Sequence, residues 1–136
     1  MTDNKPLTRF FFLAAMAAIV LPMLAACARS TPQIAVDPLS QDLGEQPQQL
    51  IELAYTVRNT GDALLKIEKI STSCDCTEAK LDRMEIPAGE SAQLTVLLDP
   101  VEDDLFGEVK RVIYLRSNDP DEAEVSVEFS VRIQKP

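Results

Sequence analysis

The segment between Glu124 and Gln134 alternates apolar and polar side chains without a break. Every second position carries an apolar residue: Val125, Val127, Phe129, Val131 and Ile133. Because successive side chains of a β-strand point to opposite faces, this period of two predicts a strand with one face in a core and one in water. An amphipathic helix would need an apolar stripe with a period near 3.6 residues, which the segment lacks. The chain must therefore supply a sheet to cover this face.

The same alternation recurs between residues 51 and 115. Further strands are predicted at residues 51–57, 64–70, 92–98 and 109–115, with turns rich in Gly, Pro, Asn and Asp between them. Ile70 is out of phase with Leu65 and Ile67, which predicts a bulge or bend. Residues 37–49, DPLSQDLGEQPQQ, are predicted to be a turn-rich stretch. Six or seven short strands in about 100 residues predict an all-β, antiparallel β-sandwich, with a small barrel as the alternative.

The N-terminal residues resemble a bacterial lipoprotein signal. Lys5 and Arg9 precede an apolar run of 14 residues from Phe10 to Met23, and Leu24-Ala25-Ala26-Cys27 follows. Such a run lies within the roughly 7–15 residues of an export signal and is shorter than a membrane-spanning helix. The resemblance implies cleavage before Cys27 and attachment of lipid to its sulfur. An ordinary cleaved signal, or an uncleaved anchor with a chance cysteine, is the alternative.

This interpretation divides the chain into three parts. Residues 1–26 are predicted to be the signal peptide, residues 27–33 a lipidated tether, and residues 34–136 one sandwich domain. Several acyl chains anchor a protein stably, so Cys27 is the predicted contact with the membrane. The predicted location is the extracytoplasmic face of the cell membrane or the outer membrane.

The charge of the chain excludes some partners. Thirteen Lys and Arg face 22 Asp and Glu, for a formal net charge of −9, and such a surface repels phosphate. We therefore predict no nucleic-acid partner, since nucleic acids are bound mainly through clustered Lys and Arg. The acidic clusters at residues 102–104 and 119–122 match no EF-hand spacing and are predicted to be solvated loop charge.

The chain contains no histidine. A Ser-His-Asp or Cys-His catalytic arrangement therefore cannot be built, and the carboxylates form no recognisable pair in the sequence. We predict that the protein is not an enzyme.

Cys74 and Cys76 stand one residue apart in the segment STSCDCTEA. In an extended strand their Cα atoms would be about 6.6 Å apart, at the upper edge of what a disulfide spans. A bond between them therefore predicts a locally bent backbone. A disulfide that merely locks this loop is one interpretation, although it would close almost no chain and contribute little crosslinking entropy.

Two other interpretations of the pair stay open. As metal ligands, Cys74 and Cys76 suit Cu(I), which is soft and accepts few ligands, and Met84 is a candidate third ligand. Without histidine, a four-ligand zinc site is not expected.

The remaining interpretation is a thiol-exchange site, for which a reducible pair facing the extracytoplasmic space is suited. Its charged neighbours oppose one another. Asp75 and Glu78 would repel a thiolate, whereas Lys80 and Arg83 would attract it.

Three phrases of the chain recur together in a known bacterial family. They are YTVRNTGDALLKIEKISTSCDCTEAKL, EIPAGESAQLTVLLDP and GEVKRVIYLRSNDP. In order and spacing they resemble the family named domain of unknown function fifteen seventy-three, which has the signature Ser-Cys-Gly-Cys-Thr. The matching positions are Asn59, Gly61, Ser73, Cys74, Cys76, Thr77, Pro87, Gly89, Gly107, Lys110, Ser117, Asn118, Asp119 and Pro120.

The resemblance implies an immunoglobulin-like sandwich of about seven strands, related to Hydin and major-sperm-protein modules. Asp75 stands where the family has glycine, so a turn that requires positive φ at this position is in doubt. The predicted function is a membrane-anchored, noncatalytic binding or scaffold module without a cofactor, whose partner is another envelope protein. The alternative is a Cu(I)-binding or thiol-exchange protein that uses Cys74 and Cys76.

Overall fold

The computed structural model describes residues 29–135, and within this range it contains strands and no helix. The predicted signal peptide and Cys27 lie outside the described residues. The described range accordingly holds no helix long and apolar enough to cross a membrane. The strands are β1 (Ile34–Asp37), β2 (Ser40–Gln46), β3 (Ile51–Asn59), β4 (Leu65–Thr72), β5 (Thr77–Leu81), β6 (Glu85–Ile86), β7 (Ser91–Leu98), β8 (Gly107–Ser117) and β9 (Glu124–Ile133).

The strands form two sheets that pack as a sandwich. The first sheet has the order β1-β3-β7-β5, and the second has the order β2-β9-β8-β4-β6. All neighbouring strands are antiparallel except β2 and β9, which are parallel. The predicted all-β, immunoglobulin-like sandwich is confirmed, and the alternative of a small barrel is wrong.

The apolar faces predicted from the alternation meet in one core. On β9, all five apolar side chains from Val125 to Ile133 are buried. On β3, Tyr55 is buried among them, and its hydroxyl donates a hydrogen bond of 3.3 Å to the carbonyl of Glu128 on the other sheet. Burial raises the pKa of Tyr55, which keeps this hydroxyl a donor.

The prediction for residues 37–49 is wrong, because β2 lies within this stretch. Its side chains lack the alternating apolar pattern of a strand, and β2 instead pairs its backbone with the edge of β9. The pairing shifts register between Asp42 and Glu45, where Gly44 adopts a φ of +62° and its N–H binds the Asp42 carboxylate at 3.0 Å. With β5 and β6 also present, the described residues form nine strands rather than about seven.

The bulge predicted in β4 is confirmed. The pairing of β4 with β8 shifts register between Ile67 and Lys69, so that one extra residue stands on the β4 side. Leu65 and Ile67 point into the core, whereas the phase of Ile70 is moved by one position.

The two ends of the sandwich differ in the residues that form them. We call residues 31–34, 59–63, 86–90 and 117–123 the proximal end, because the chain enters the domain there. Residues 46–50, 71–77 and 98–107 lie at the opposite end, which we call the distal end. The strand registers place Ile51, Thr77 and Leu98 side by side at the distal end.

The chain is already part of the domain three residues before β1. The turn after β3 exchanges backbone hydrogen bonds with this segment, from Thr60 N–H to Gln33 O at 2.9 Å and from Asp62 N–H to Thr31 O at 3.1 Å. A Cβ atom on Gly61 would clash with the backbone oxygen of Thr31. Only glycine fits where these two backbone segments cross.

Asp119 corrects the prediction that residues 119–122 are solvated loop charge. Its side chain is only 4% exposed, and it accepts hydrogen bonds from three backbone N–H groups: Ile34 at 2.9 Å, Asp121 at 2.9 Å and Glu122 at 3.1 Å. Burial raises the pKa of Asp119, but the three hydrogen bonds outweigh it and hold the pKa below the usual 3.8. The carboxylate is a structural part of the proximal end.

The crossing at Gly61 predicts a stability effect. Gly61→Ala should lower the free energy of unfolding by about 1–3 kcal/mol, because the obstructing atoms are backbone and cannot rotate away. Urea denaturation of the purified protein measures this. The neighbouring control Thr60→Ala removes an exposed side chain and should stay within about 0.5 kcal/mol of the parent. Equal effects of the two substitutions would contradict the crossing.

Asp119 predicts a dependence of stability on pH. Its folded-state pKa is lowered, so its contribution is fully present above 3.8 and disappears as the pH falls through the folded-state pKa. Asp119→Asn should therefore cost about 1–3 kcal/mol at neutral pH, and the difference from the parent should shrink under strongly acidic conditions. The exposed neighbour provides the control variant Asp121→Asn. Denaturation curves with a pH-independent difference would refute this role of the carboxylate.

Candidate functional site

The segment that carries Cys74 and Cys76 connects the two sheets at the distal end. It leaves β4 in the second sheet and enters β5 in the first. The backbone bends between the two cysteines, whose sulfur atoms lie at bonding distance and whose Cα atoms are 5.2 Å apart. Thr77 N–H donates to Cys74 O at 3.2 Å and closes the turn. This is the bent backbone that a bond between the two cysteines requires.

Hydrogen bonds hold this cysteine loop, residues 73–77, against the second sheet. Ser73 N–H donates to Val112 O at 2.9 Å, and Val112 N–H donates to the Ser73 hydroxyl at 3.0 Å. Thr77 is buried, whereas both cysteines are only partly buried and Asp75 is exposed. Within residues 29–135, Asp104 is the one non-glycine residue with positive φ. The turn therefore forms with Asp75 between the cysteines and without positive φ at this position.

A groove lies beside the cysteine loop, on the outer face of the first sheet. Its volume is about 320 Å³, and the lining residues are Leu50, Asp75, Cys76, Glu78, Leu97, Asp99, Glu102 and Asp103. Glu78 on β5 and Leu97 on β7, which both line the groove, are direct cross-strand partners. The cysteine loop is one wall, and the loop after β7 is another. We call this feature the distal groove.

The loop after β7 is built around Asp99. The carboxylate of Asp99 accepts hydrogen bonds from the N–H groups of Val101 at 2.9 Å and Glu102 at 3.1 Å. The side-chain amide of Gln48 donates to Pro100 O at 3.1 Å and joins this loop to the one before β3. The wall of the groove is thus held by hydrogen bonds of its own.

The electrostatics of the distal groove differ from those of the rest of the described surface. Five residues lining it carry carboxylates, and none carries a positive charge. Elsewhere, five glutamates form ion pairs with Lys or Arg, as Glu128 does with Lys110 at 2.9 Å. None of the five ion pairs found in residues 29–135 includes a groove carboxylate. The groove concentrates uncompensated negative charge around a small apolar floor.

The structure separates several residues that the sequence placed near the cysteine pair. Met84 O accepts a hydrogen bond from Ile67 N–H, several residues before the cysteine loop along β4, so Met84 is not a neighbour of the pair. Arg83 binds Glu90 at 2.7 Å near the start of β7. Lys80 lies further along β5, beside Asp82. Within residues 29–135, no three His, Cys, Asp or Glu side chains converge as a metal site.

Sequence reasoning missed Arg111, which stands in the apolar phase of β8 between Val109 and Ile113. Arg111 directly precedes Val112, which exchanges hydrogen bonds with Ser73 of the cysteine loop. Its Nε is buried without a hydrogen-bond partner in the described part of the chain. The signal was present in the sequence as a charged residue in an apolar phase.

These features define the class of the protein as an immunoglobulin-like β-sandwich with a groove and a cysteine loop at one end. The chain belongs to the family described as protein of unknown function (DUF1573), which it matches over residues 34–133. The family membership expected from the sequence motifs is confirmed. No curated protein is similar enough to the chain to count as a relative.

Solved structures share the fold. A protein of unknown function from Porphyromonas gingivalis W83 superposes with a TM-score of 0.69 at 22% identity, covering 76% of this chain and 47% of that one. The VesB protease of Vibrio cholerae gives a TM-score of 0.59 at 14% identity, covering 76% of this chain and 32% of that one. The chain therefore spans about half of the first protein and about a third of the second.

The PapD-like domain 7 of human CEP192 is covered more completely. Its TM-score is 0.58 at 10% identity, with 79% of this chain and 88% of that domain covered. At these identities the three likenesses concern the fold alone.

The geometry of the cysteine loop predicts a closed disulfide. The protein prepared without reductant should have a mass lower than the reduced mass by two hydrogen atoms and should resist alkylation at Cys74 and Cys76. A crosslink over so short a loop removes little entropy, so reduction should lower the free energy of unfolding by at most about 1.5 kcal/mol.

Cu(I) added under anaerobic conditions tests the alternative on the same sample. The closed pair should take up no copper until it is reduced, and Cys74→Ser/Cys76→Ser gives the background uptake. Free thiols that bind one copper per chain without reductant would contradict the closed pair.

Proposed function

We propose that this protein is a noncatalytic binding module, held by lipid on Cys27 at the extracytoplasmic face of an envelope membrane, whose distal end binds another envelope protein. One observation carries the proposal: the chain enters the domain at the proximal end, whereas the distal groove and the cysteine loop lie at the opposite end. An anchor before residue 31 then leaves the groove directed away from the membrane.

The short tether supports this orientation. Thr31 and Gln33 are hydrogen-bonded to the turn after β3, so only residues 28–30 separate Cys27 from the domain. Three residues extend over at most about 10 Å. By contrast β8, which runs between the two ends, has 11 residues and a length of roughly 33 Å. The proximal end stays close to the lipid, and the distal end is accessible to other proteins.

The absence of histidine from the whole chain supports a noncatalytic role, because it excludes the common triads. The likeness to the VesB protease covers about a third of that protein and transfers no activity. The periplasmic chaperone SfaE has a similar fold with a TM-score of 0.55 at 11% identity. A sandwich of this shape is thus compatible with a role in binding proteins in the envelope.

Thiol exchange is the second candidate function. The observation that favours it is the partial exposure of both cysteines in a loop that opens on the distal groove, where a docked partner would meet them. Arg111 directly precedes Val112, the hydrogen-bond partner of Ser73, and its positive charge would favour a thiolate in the cysteine loop. Cu(I) binding by the reduced pair is the related alternative.

A crosslinking experiment in living cells tests the proposed function. A photo-crosslinking amino acid replaces Leu50 at the distal groove or, as the control, Glu122 at the proximal end. Each variant is expressed with Cys27 or with Cys27→Ser. We expect labelling by a palmitate analogue and recovery in membranes only with Cys27, and a discrete crosslinked protein only with Cys27 and the probe at position 50. Equal crosslinking from both positions, or membrane attachment of Cys27→Ser, would contradict the proposal.

A further inference from the structure

We propose that the distal groove binds an extended segment of a partner protein in which an aliphatic side chain is flanked by Lys or Arg. This inference rests on the proposed function and names the chemistry of its partner. The occupant is identified by three features of the groove: its apolar floor, its unpaired carboxylates and the open strand edge beside it.

The apolar floor of the groove favours an aliphatic side chain in the bound segment. Leu50 is 58% exposed at one side of the groove. Leu97 lies on the outer face of β7, and Cys76 is beside it. Val101, in the loop after β7 between the lining residues Asp99 and Glu102, is also 58% exposed. An apolar side chain placed in the space of about 320 Å³ would remove this surface from water.

The carboxylates at the rim of the groove favour positive charge on either side of that aliphatic residue in the bound segment. Asp75 and Glu78 stand on the side of the cysteine loop, and Glu102 and Asp103 stand on the side of the loop after β7. These carboxylates repel one another across the groove, and no ion pair in residues 29–135 neutralises them. A Lys or Arg on each side of the docked residue would relieve this repulsion, which gives affinity and orientation together.

A metal ion is a poorer fit than a protein segment. The carboxylates lie on both walls of the groove rather than around one point, and no three acidic or cysteine side chains in residues 29–135 converge on one ion. In addition, β5 is an edge strand that pairs only with β7 in the described sheet. Its open side, which faces away from β7, offers backbone N–H and C=O groups with which the continuation of an extended polypeptide can pair. A small polyamine cannot use this edge.

A binding experiment with synthetic peptides tests the inference. The probe is a fluorescein-labelled peptide of alternating Lys and Val, added to the full-length protein in detergent and followed by fluorescence anisotropy. Two matched peptides replace every Lys by Glu or every Val by Ser, and spermidine serves as the competitor without a backbone. We expect binding of the Lys-Val peptide only, with little competition by spermidine.

Charge-reversal variants locate the binding. Glu78→Lys/Glu102→Lys changes two groove carboxylates, and Glu122→Lys/Glu124→Lys makes the same change in net charge at the proximal end. The groove variant should weaken binding of the Lys-Val peptide at least about tenfold, and the proximal variant less than about twofold. Leu50→Ser should also weaken it, while circular dichroism confirms that each variant is folded.

The outcomes separate the inference from the function on which it rests. Equal loss in the two charge-reversal variants, equal binding of the Lys-Ser peptide, or full competition by spermidine would overturn the inference. If no peptide binds although the probe at position 50 crosslinks a protein in cells, the chemistry inferred for the partner is wrong and the binding module stands. If the Lys-Val peptide binds in the groove but no protein is crosslinked in cells, the groove chemistry is right and the proposed function fails.

Discussion

The fold depends on two apolar sheet faces that cover one another, and this makes the pairing register of β8 with β9 the central constraint. The two strands pair continuously from Gly107 with Ile133 to Arg116 with Glu124. A shift of one residue would turn the apolar side chains of β9 from the core to water. The hydrogen bond from Tyr55 across the core to Glu128 O ties the first sheet to the same register. Once these faces are matched, the positions of the loops at both ends follow.

The strands that fill the core could be predicted from the sequence, because burial on one face imposes a period of two on the side chains. The strand β2 could not be predicted in this way. It forms because its backbone pairs with the free edge of β9, and its side chains therefore show no apolar alternation. Asp119 was misread for a related reason. A carboxylate in a turn is predicted to be solvated. Only the structure shows that three backbone N–H groups donate hydrogen bonds to this one.

Part of the candidate site could likewise be predicted from the sequence, and part could not. Cys74 and Cys76 could be recognised as a candidate site from the sequence, because two cysteines separated by one residue are unusual in a strand. The distal groove could not be predicted from the sequence, because its residues come from three separate parts of the chain. These parts are the loop before β3, the cysteine loop together with β5, and β7 together with the loop that follows it. Each of these segments alone is an ordinary acidic turn or strand end. Their chemistry emerges only when the sheet order brings β5 next to β7.

Carboxylate side chains have different roles at the two ends of the sandwich. At the proximal end, the carboxylates of Asp62 and Asp119 accept backbone hydrogen bonds, which stabilises the crossing of the entering chain and leaves these groups occupied. At the distal end, Asp99 alone caps its own loop, and the other groove carboxylates remain without a counter-charge. Unpaired like charges beside exposed leucine contribute nothing favourable to the isolated fold. A groove that gathers acidic side chains without a counter-charge beside exposed leucine therefore has a reason outside the stability of the fold, and binding of a complementary partner is such a reason.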